Sequence, residues 1–184
     1  MLKAEERLSN LIALKAQIEL NTVNTELRMV LNKMEIKELF CTENKNYWIK
    51  QIGKSDWSAG QFLYQLLSEN RLKELCGETT RVFMLTDSNH LVAFCALEEV
   101  DDVRDTELSP WIGFVYTFPQ YRGHRYMGSL LDAAYDAAKK DGVKGIYIST
   151  GENGLYEKYG YSFYQMMTDM HGEDSRVYRR EVTL

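Results

Sequence analysis

Apolar residues along this chain alternate between the helical and the strand period. In the first thirty-three residues, which contain no Gly and no Pro, Leu8, Leu11, Ile12, Ile18, Val23, Leu27, Val30 and Leu31 fall mostly at helical spacing. A polar patch at Asn21, Thr22, Asn24 and Thr25 interrupts them, so one long helix or two joined there both fit. Met34 follows, and the main domain is expected over 34–184, with 1–33 as a helical extension that serves for packing or for a homodimer contact. From Glu43 to Gly77 the pattern predicts two helices, with Asp56 or Ser58 as the N-cap of the second and Gly77 as its stop. Trp57 and Tyr64 sit at helical spacing and read as core in preference to walls of a ligand pocket.

After Gly77 the strand period takes over. Arg81–Thr86 and the continuous apolar run Leu91–Leu97 predict two strands around a turn at Asp87–His90. Trp111–Phe118 predicts a third, broken by Gly113 and ended by Pro119. Ser129–Lys140 returns to the helical period, with Leu130, Leu131, Ala134, Tyr135 and Ala138 on one face and Gly142 as its cap. Val143–Ser149 is a strand, Gly154–Tyr159 a short helix, and Tyr161–Thr168 and Arg176–Thr183 close the chain as two strands.

Composition narrows the class. The chain has 184 residues, of which 45% are hydrophobic and 27% charged, as expected of a globular domain that needs no metal or disulfide staple. The longest apolar run is far short of the about 20 residues of a membrane span. The amino terminus carries Glu5 and Glu6 where a signal peptide would be basic and then apolar, so the cytoplasm is the expected location. Cys41, Cys76 and Cys95 are widely spaced in apolar surroundings and read as buried free thiols, with no metal site expected.

The formal charge is −5, and the segment Glu98–Glu107 accounts for it with six acids against Arg104. No basic face exists for a nucleic acid. The acidic segment points to a cationic partner, although a solvated loop has the same appearance.

The candidate chemistry lies in the turn from the third strand to the long helix, Pro119-Gln-Tyr-Arg-Gly-His-Arg-Tyr-Met-Gly-Ser-Leu-Leu131. A glycine-containing strand-to-helix turn offers backbone N–H groups and a helix dipole to an anion. Arg122, Arg125 and, when protonated, His124 add cationic donors, so a pyrophosphate is the expected guest. Gly123-x-x-x-x-Gly128-Ser129 approaches a P-loop, but Ser129 and Leu130 stand where Lys and Ser/Thr belong, which argues against nucleotide hydrolysis. No G-x-G-x-x-G is present.

The run Tyr116–Leu131 resembles the acetyl-coenzyme A motif of the GNAT superfamily of N-acetyltransferases, usually worded Pro-x-Tyr-Arg-Gly-x-Gly-x-Gly. Gly154-Leu-Tyr-Glu-Lys-Tyr-Gly-Tyr161 is similar to that family's Leu-Tyr-Glu-Lys-Leu-Gly-Phe. Arg125 and Met127 replace the second and third turn glycines, and the usual Asn ahead of the second motif is displaced to Asn153.

The resemblance covers roughly 34–184. It implies an α+β fold with a central mixed sheet flanked by helices, with an extra N-terminal helix. It implies acetyl-coenzyme A as cosubstrate, bound by Val115, Tyr116, Thr117 and the turn Arg122, Gly123, His124, Arg125, Tyr126, Met127, Gly128 and Ser129. The acceptor is then a small-molecule or peptide amine. Tyr156 matches the tyrosine that hydrogen-bonds or protonates the departing thiolate. The strand Trp111–Phe118 carries no carboxylate, so Glu98 and Glu99 are the candidate bases, with His171 as an alternative. The other functional class compatible with these residues is a coenzyme A-binding sensor or interaction module without turnover.

Overall fold

The computed structural model describes residues 34–103 and 106–183, together with the helical position Lys15. The chain divides into two compact units, Met1–Met34 and Glu35–Leu184. The expected helix over 1–33 lies outside the described residues.

Seven strands form one mixed sheet in the order β1-β2-β3-β4-β5-β7-β6. They are β1 (Met34–Glu38), β2 (Arg81–Asp87), β3 (His90–Glu98), β4 (Trp111–Thr117), β5 (Gly145–Thr150), β6 (Ser162–Thr168) and β7 (Asp174–Glu181). Helices α1 (Lys45–Ile52), α2 (Ser58–Ser68) and α3 (Leu72–Cys76) precede β2, and α4 (Tyr126–Lys140) joins β4 to β5. The expected α+β architecture is therefore present. No helix among the described residues is long and apolar enough to cross a membrane.

β3 sits mid-sheet and is buried on both faces, which is why its sequence is continuously apolar instead of alternating. Phe94 and Ala96 join Val82, Met84 and Tyr116 in the core shared with α1 and α2. Cys95 points the other way, with its Sγ 4.0 Å from the Leu130 carbonyl of α4. On that side α4 buries Leu130, Leu131, Ala134 and Ala138 of the predicted face and Ala137 in addition, while Tyr135 is only half-buried.

The structure corrects several expectations. β1 is a strand that the pattern reading does not assign: Met34-Glu-Ile-Lys-Glu38 is too short a stretch of alternation to stand out, and its charges suit an edge strand by discouraging pairing with other chains. The pattern predicts two helices over 43–77 and three occur, because Asn70 takes φ 57° and turns the chain before Leu72. Asn tolerates this left-handed region better than most residues. Neither Asp56 nor Ser58 caps α2; the N-cap is Trp57 without a side-chain bond, since Asp56 is occupied by Tyr116. Cys41 is exposed, at the end of a 3-10 turn, whereas Cys76 and Cys95 are buried.

Two irregularities in β4 shape the site. Ala96 pairs with Gly113 and Phe94 with Tyr116, so two β4 residues oppose Cys95 alone and form a bulge. Phe114 within it has φ 52°. On the other edge β4 runs parallel to β5, yet pairs with it only at Trp111↔Tyr147. Beyond that point the two strands separate and the sheet opens.

Candidate active site

The opening between β4 and β5 is part of a cleft of about 1180 Å³. One stretch of its wall is β4 from Ile112 to Thr117, and the facing stretch is Ser149–Glu152 at the end of β5, with Leu155 and Tyr156 beyond it. Because pairing with β5 stops after Trp111, the β4 backbone along this edge has no neighbouring strand and can offer its polar groups to a guest.

At the carboxyl end of β4 the chain makes a 3-10 turn over Pro119–Tyr121 and enters α4 through Arg125, which has φ 60°. Among the described residues the backbone N–H groups of Gly123 through Met127 have no hydrogen-bond partner, while that of Gly128 already donates to the Arg125 carbonyl at 3.0 Å. Unpaired N–H groups at the start of a fifteen-residue helix form an anion site. Gly123 has φ 84° and open space where a Cβ would be. Gly128 differs: a Cβ there would stand 2.9 Å from the Tyr159 ring, so this glycine serves helix packing.

The sequence-predicted binding residues divide accordingly. Val115, Tyr116, Thr117, Arg122 and Met127 line the cleft. The Arg122 Nε donates to the Thr117 carbonyl at 3.0 Å, and its guanidinium lies 3.8 Å from Asp56, so it braces the turn from the side. The Tyr116 hydroxyl donates to Asp56 at 2.5 Å and its ring stacks on Trp57 at 5.9 Å. Its side chain thus belongs to the packing between β4 and α2, leaving only its backbone for a ligand. Trp57 is both half-buried core and cleft wall. His124, Arg125 and Ser129 are exposed around the turn, and the half-buried Tyr126 ring lies 5.3 Å from that of His124.

Tyr156 begins a 3-10 helix over Tyr156–Tyr159 and is 7% exposed. Rings of Tyr161 and Tyr178 pack at 6.1 and 6.3 Å, and the Tyr178 hydroxyl donates to Glu157 at 3.0 Å, which ties the short helix to β7. The Tyr156 hydroxyl itself has no partner among the described residues. Burial, then the nearby Cys95, Asp101 and Glu152, raise its pKa, so it keeps its proton at neutral pH.

The two candidate bases part company. Glu98, at the end of β3, is 1% exposed, lines the cleft and has neither carboxylate oxygen in a hydrogen bond among the described residues. Burial, followed by repulsion from Asp101, holds its pKa well above the usual carboxylate range. Glu99 points to the opposite side, where Thr79 donates its N–H at 2.6 Å and its hydroxyl at 2.7 Å, lowering the Glu99 pKa. Alternation along an extended chain separates these neighbours.

The structure brings further groups to Glu98, among them Asp101 and Asp102 of the acidic segment and His171, the alternative base. The N–H groups of Glu99 and Val100 both donate to the Cys76 carbonyl, at 2.8 and 3.1 Å, turning the chain so that Asp101 and Asp102 line the cleft beside Glu98. Burial and the neighbouring Asp102 push the Asp101 carboxyl up to about 7. The Met170 N–H donates to the Asp102 carbonyl at 2.8 Å, bringing the β6–β7 turn, with Met170 and His171, to the same end. Gly113 was the available signal: a glycine inside a strand marks a bulge or a close approach, and both occur here.

A sheet that opens between two parallel strands, with an anion turn at one end of the opening and a buried carboxylate at the other, defines an acyltransferase-like cleft. The sequence profile of the acetyltransferase (GNAT) family matches residues 43–161, and the chain belongs to that family. Among curated proteins no sequence matches it. Solved structures with the same fold include a GNAT family N-acetyltransferase from Escherichia coli in complex with CoA, 15% identical, TM-score 0.61, covering 82% of each chain. An acetyltransferase from Streptococcus agalactiae is 20% identical with TM-score 0.54, covering 80% of this chain and 98% of its own. The ribosomal-protein-S18-alanine N-acetyltransferase of Escherichia coli is 18% identical with TM-score 0.54, covering 82% and 95%.

Proposed function

We propose that residues 34–184 transfer an acetyl group from acetyl-coenzyme A to a primary amine by direct attack. The observation that carries this reading is the pairing, in one cleft, of a protonated hydroxyl at Tyr156 with an unpartnered buried carboxylate at Glu98. These are the two proton-handling groups that amide formation from a thioester needs.

The unbonded N–H groups from Gly123 to Met127 fit a pyrophosphate, and Arg125 adds a cationic donor and His124 a ring N–H donor at the same turn. The open backbone edge of β4 at Val115, Tyr116 and Thr117 suits an extended, amide-containing chain such as pantetheine. Coenzyme A in the Escherichia coli relative supports the same assignment. Glu98, with Asp101 beside it, accepts the proton lost by the attacking amine. The C–S bond breaks as the C–N bond forms, and the Tyr156 hydroxyl gives its proton to the departing thiolate. Glu99 is committed to Thr79 and takes no part.

The test is release of free thiol from acetyl-coenzyme A when primary amines are added to the full chain, with the acetylated amine identified by mass. Coenzyme binding without thiol release for any amine would favour a sensor or interaction module.

A further inference from the structure

Four large apolar side chains that stay exposed line the same cleft: Phe62 at 45%, Leu75 at 38%, Val100 at 41% and Met170 at 52%. They come from α2, α3, the segment after β3 and the β6–β7 turn. Separate elements that each spend an exposed apolar residue on one concavity mark a binding surface, because solvent-facing apolar groups cluster where they await a partner.

Beneath them lies Glu98, buried, with both oxygens unpartnered, and a buried unpartnered oxygen of Asp102. The groups around Glu98 are Cys76 from α3, a weak donor, and Asp101 and Asp102 from the following segment. Cys95, further back on β3, keeps its proton. Tyr156 lines the cleft as a neutral phenol. Among the described residues the cleft's basic side chains are Arg122, held by Thr117 and Asp56, and the His171 imidazole on the β6–β7 turn. None of these neutralises Glu98. A desolvated carboxylate with no donor stronger than the Cys76 thiol takes up a proton or a cation brought from outside.

We infer that the acceptor is a monoamine with an apolar body, its single ammonium seated on Glu98 and Asp101 and its body lying along Phe62, Leu75, Val100 and Met170. A polycation fits poorly. Among the described residues Glu98, Asp101 and Asp102 form one acidic cluster beside the apolar walls. The cleft's other acids are exposed, Asp56 being held by Tyr116 and Arg122 and Glu152 standing at the end of β5, so a second ammonium would gain only a solvent-screened partner. Where the carboxyls are protonated before binding, the arriving ammonium sends that proton to solvent. The inference rests on the acetyl-transfer reading for the reaction that follows binding, but binding itself is tested separately.

The experiment is calorimetric titration of the full chain, saturated with coenzyme A, with hexylamine, 2-phenylethylamine, spermidine and hexan-1-ol. A pH of about 5.5, well below the value of about 7 for the Asp101 carboxyl, keeps that group protonated, and two buffers of different ionisation enthalpy count the released proton. Both monoamines should bind about tenfold or more tightly than spermidine and hexanol, with proton release. Glu98→Gln should abolish that preference over the alcohol. Phe62→Ala, on an exposed side chain, should weaken both monoamines several-fold and leave coenzyme affinity unchanged. Equal or tighter spermidine binding, or monoamine binding indifferent to both substitutions, overturns the inference. Thiol release from acetyl-coenzyme A with spermidine but not the monoamines would overturn it while sparing the transferase reading; monoamine binding without thiol release would do the reverse.

Discussion

Gly113 and Glu98 share one volume: a Cβ on Gly113 would overlap Glu98 Oε1, and Asp101 Oδ1 lies 3.5 Å from the same point. The β4 bulge and the absent side chain together create the recess that the carboxylate occupies.

Gly113→Ala should therefore cost function more than stability. The obstructing atom is the end of a flexible side chain, so the strain falls at the low end of the about 1–3 kcal/mol typical of overpacking. Displacing the carboxylate should lower acceptor kcat/KM by about tenfold or more. Thermal unfolding and steady-state kinetics on the same preparation separate the two. An unchanged kcat/KM would remove Glu98 from the site.

Asp101 sets a pH dependence. Its carboxyl is raised from 3.8 to about 7 in the folded chain, which therefore retains a proton that the unfolded chain has released over that interval. Stability should fall as pH rises from about 4 to about 7, and Asp101→Asn should flatten the slope. Acceptor kcat/KM should move oppositely, rising through about 7 as the carboxyl ionises and attracts an ammonium. Denaturant midpoints and rate profiles across this range give both signs.

The two glycines of the phosphate turn should behave differently. Gly123→Asp adds a negative charge beside the unbonded N–H groups; at φ 84° the new side chain is strained but meets open space, so the fold should hold at a cost of about 1–3 kcal/mol. Coenzyme affinity should drop more than tenfold, since one charge-assisted contact is worth about 1.5–3 kcal/mol. Gly128→Ala instead presses on the Tyr159 ring and should lower the melting temperature with a smaller effect on coenzyme binding. Calorimetric binding constants for both variants test the division; equal losses of affinity would merge the two roles.

What was legible in the sequence followed from local physics. The apolar run of β3, the amphipathic face of α4 and the glycine-containing turn each announce their surroundings through their own residues. The rest depends on partners far along the chain. Asp56 resembles an N-cap until Tyr116, sixty residues later, takes its carboxylate. Glu98 and Glu99 are indistinguishable as letters, and only the strand's alternation, with Thr79 waiting on one side and Gly113 on the other, gives them opposite fates. The apolar rim was invisible for the same reason: Phe62 and Leu75 fit helical cores, and only the fold brings them to Val100 and Met170.

The chemistry at Tyr156 has its own test. Tyr156→Phe removes the hydroxyl and keeps the ring between Tyr161 and Tyr178, and since that hydroxyl makes no hydrogen bond among the described residues, stability should be nearly unchanged. A protonated phenol in the cleft is in the correct state to give its proton to a leaving thiolate, and burial keeps it so across neutral pH. Loss of a general acid lowers kcat by about 10²-fold. Coenzyme affinity should change much less, because the proton moves only as the C–S bond breaks. A modest and equal change in affinity and rate would mean that the hydroxyl merely holds the sulfur in the ground state. Wild-type kcat in the Phe variant would leave solvent as the proton donor and reduce Tyr156 to a wall of the cleft.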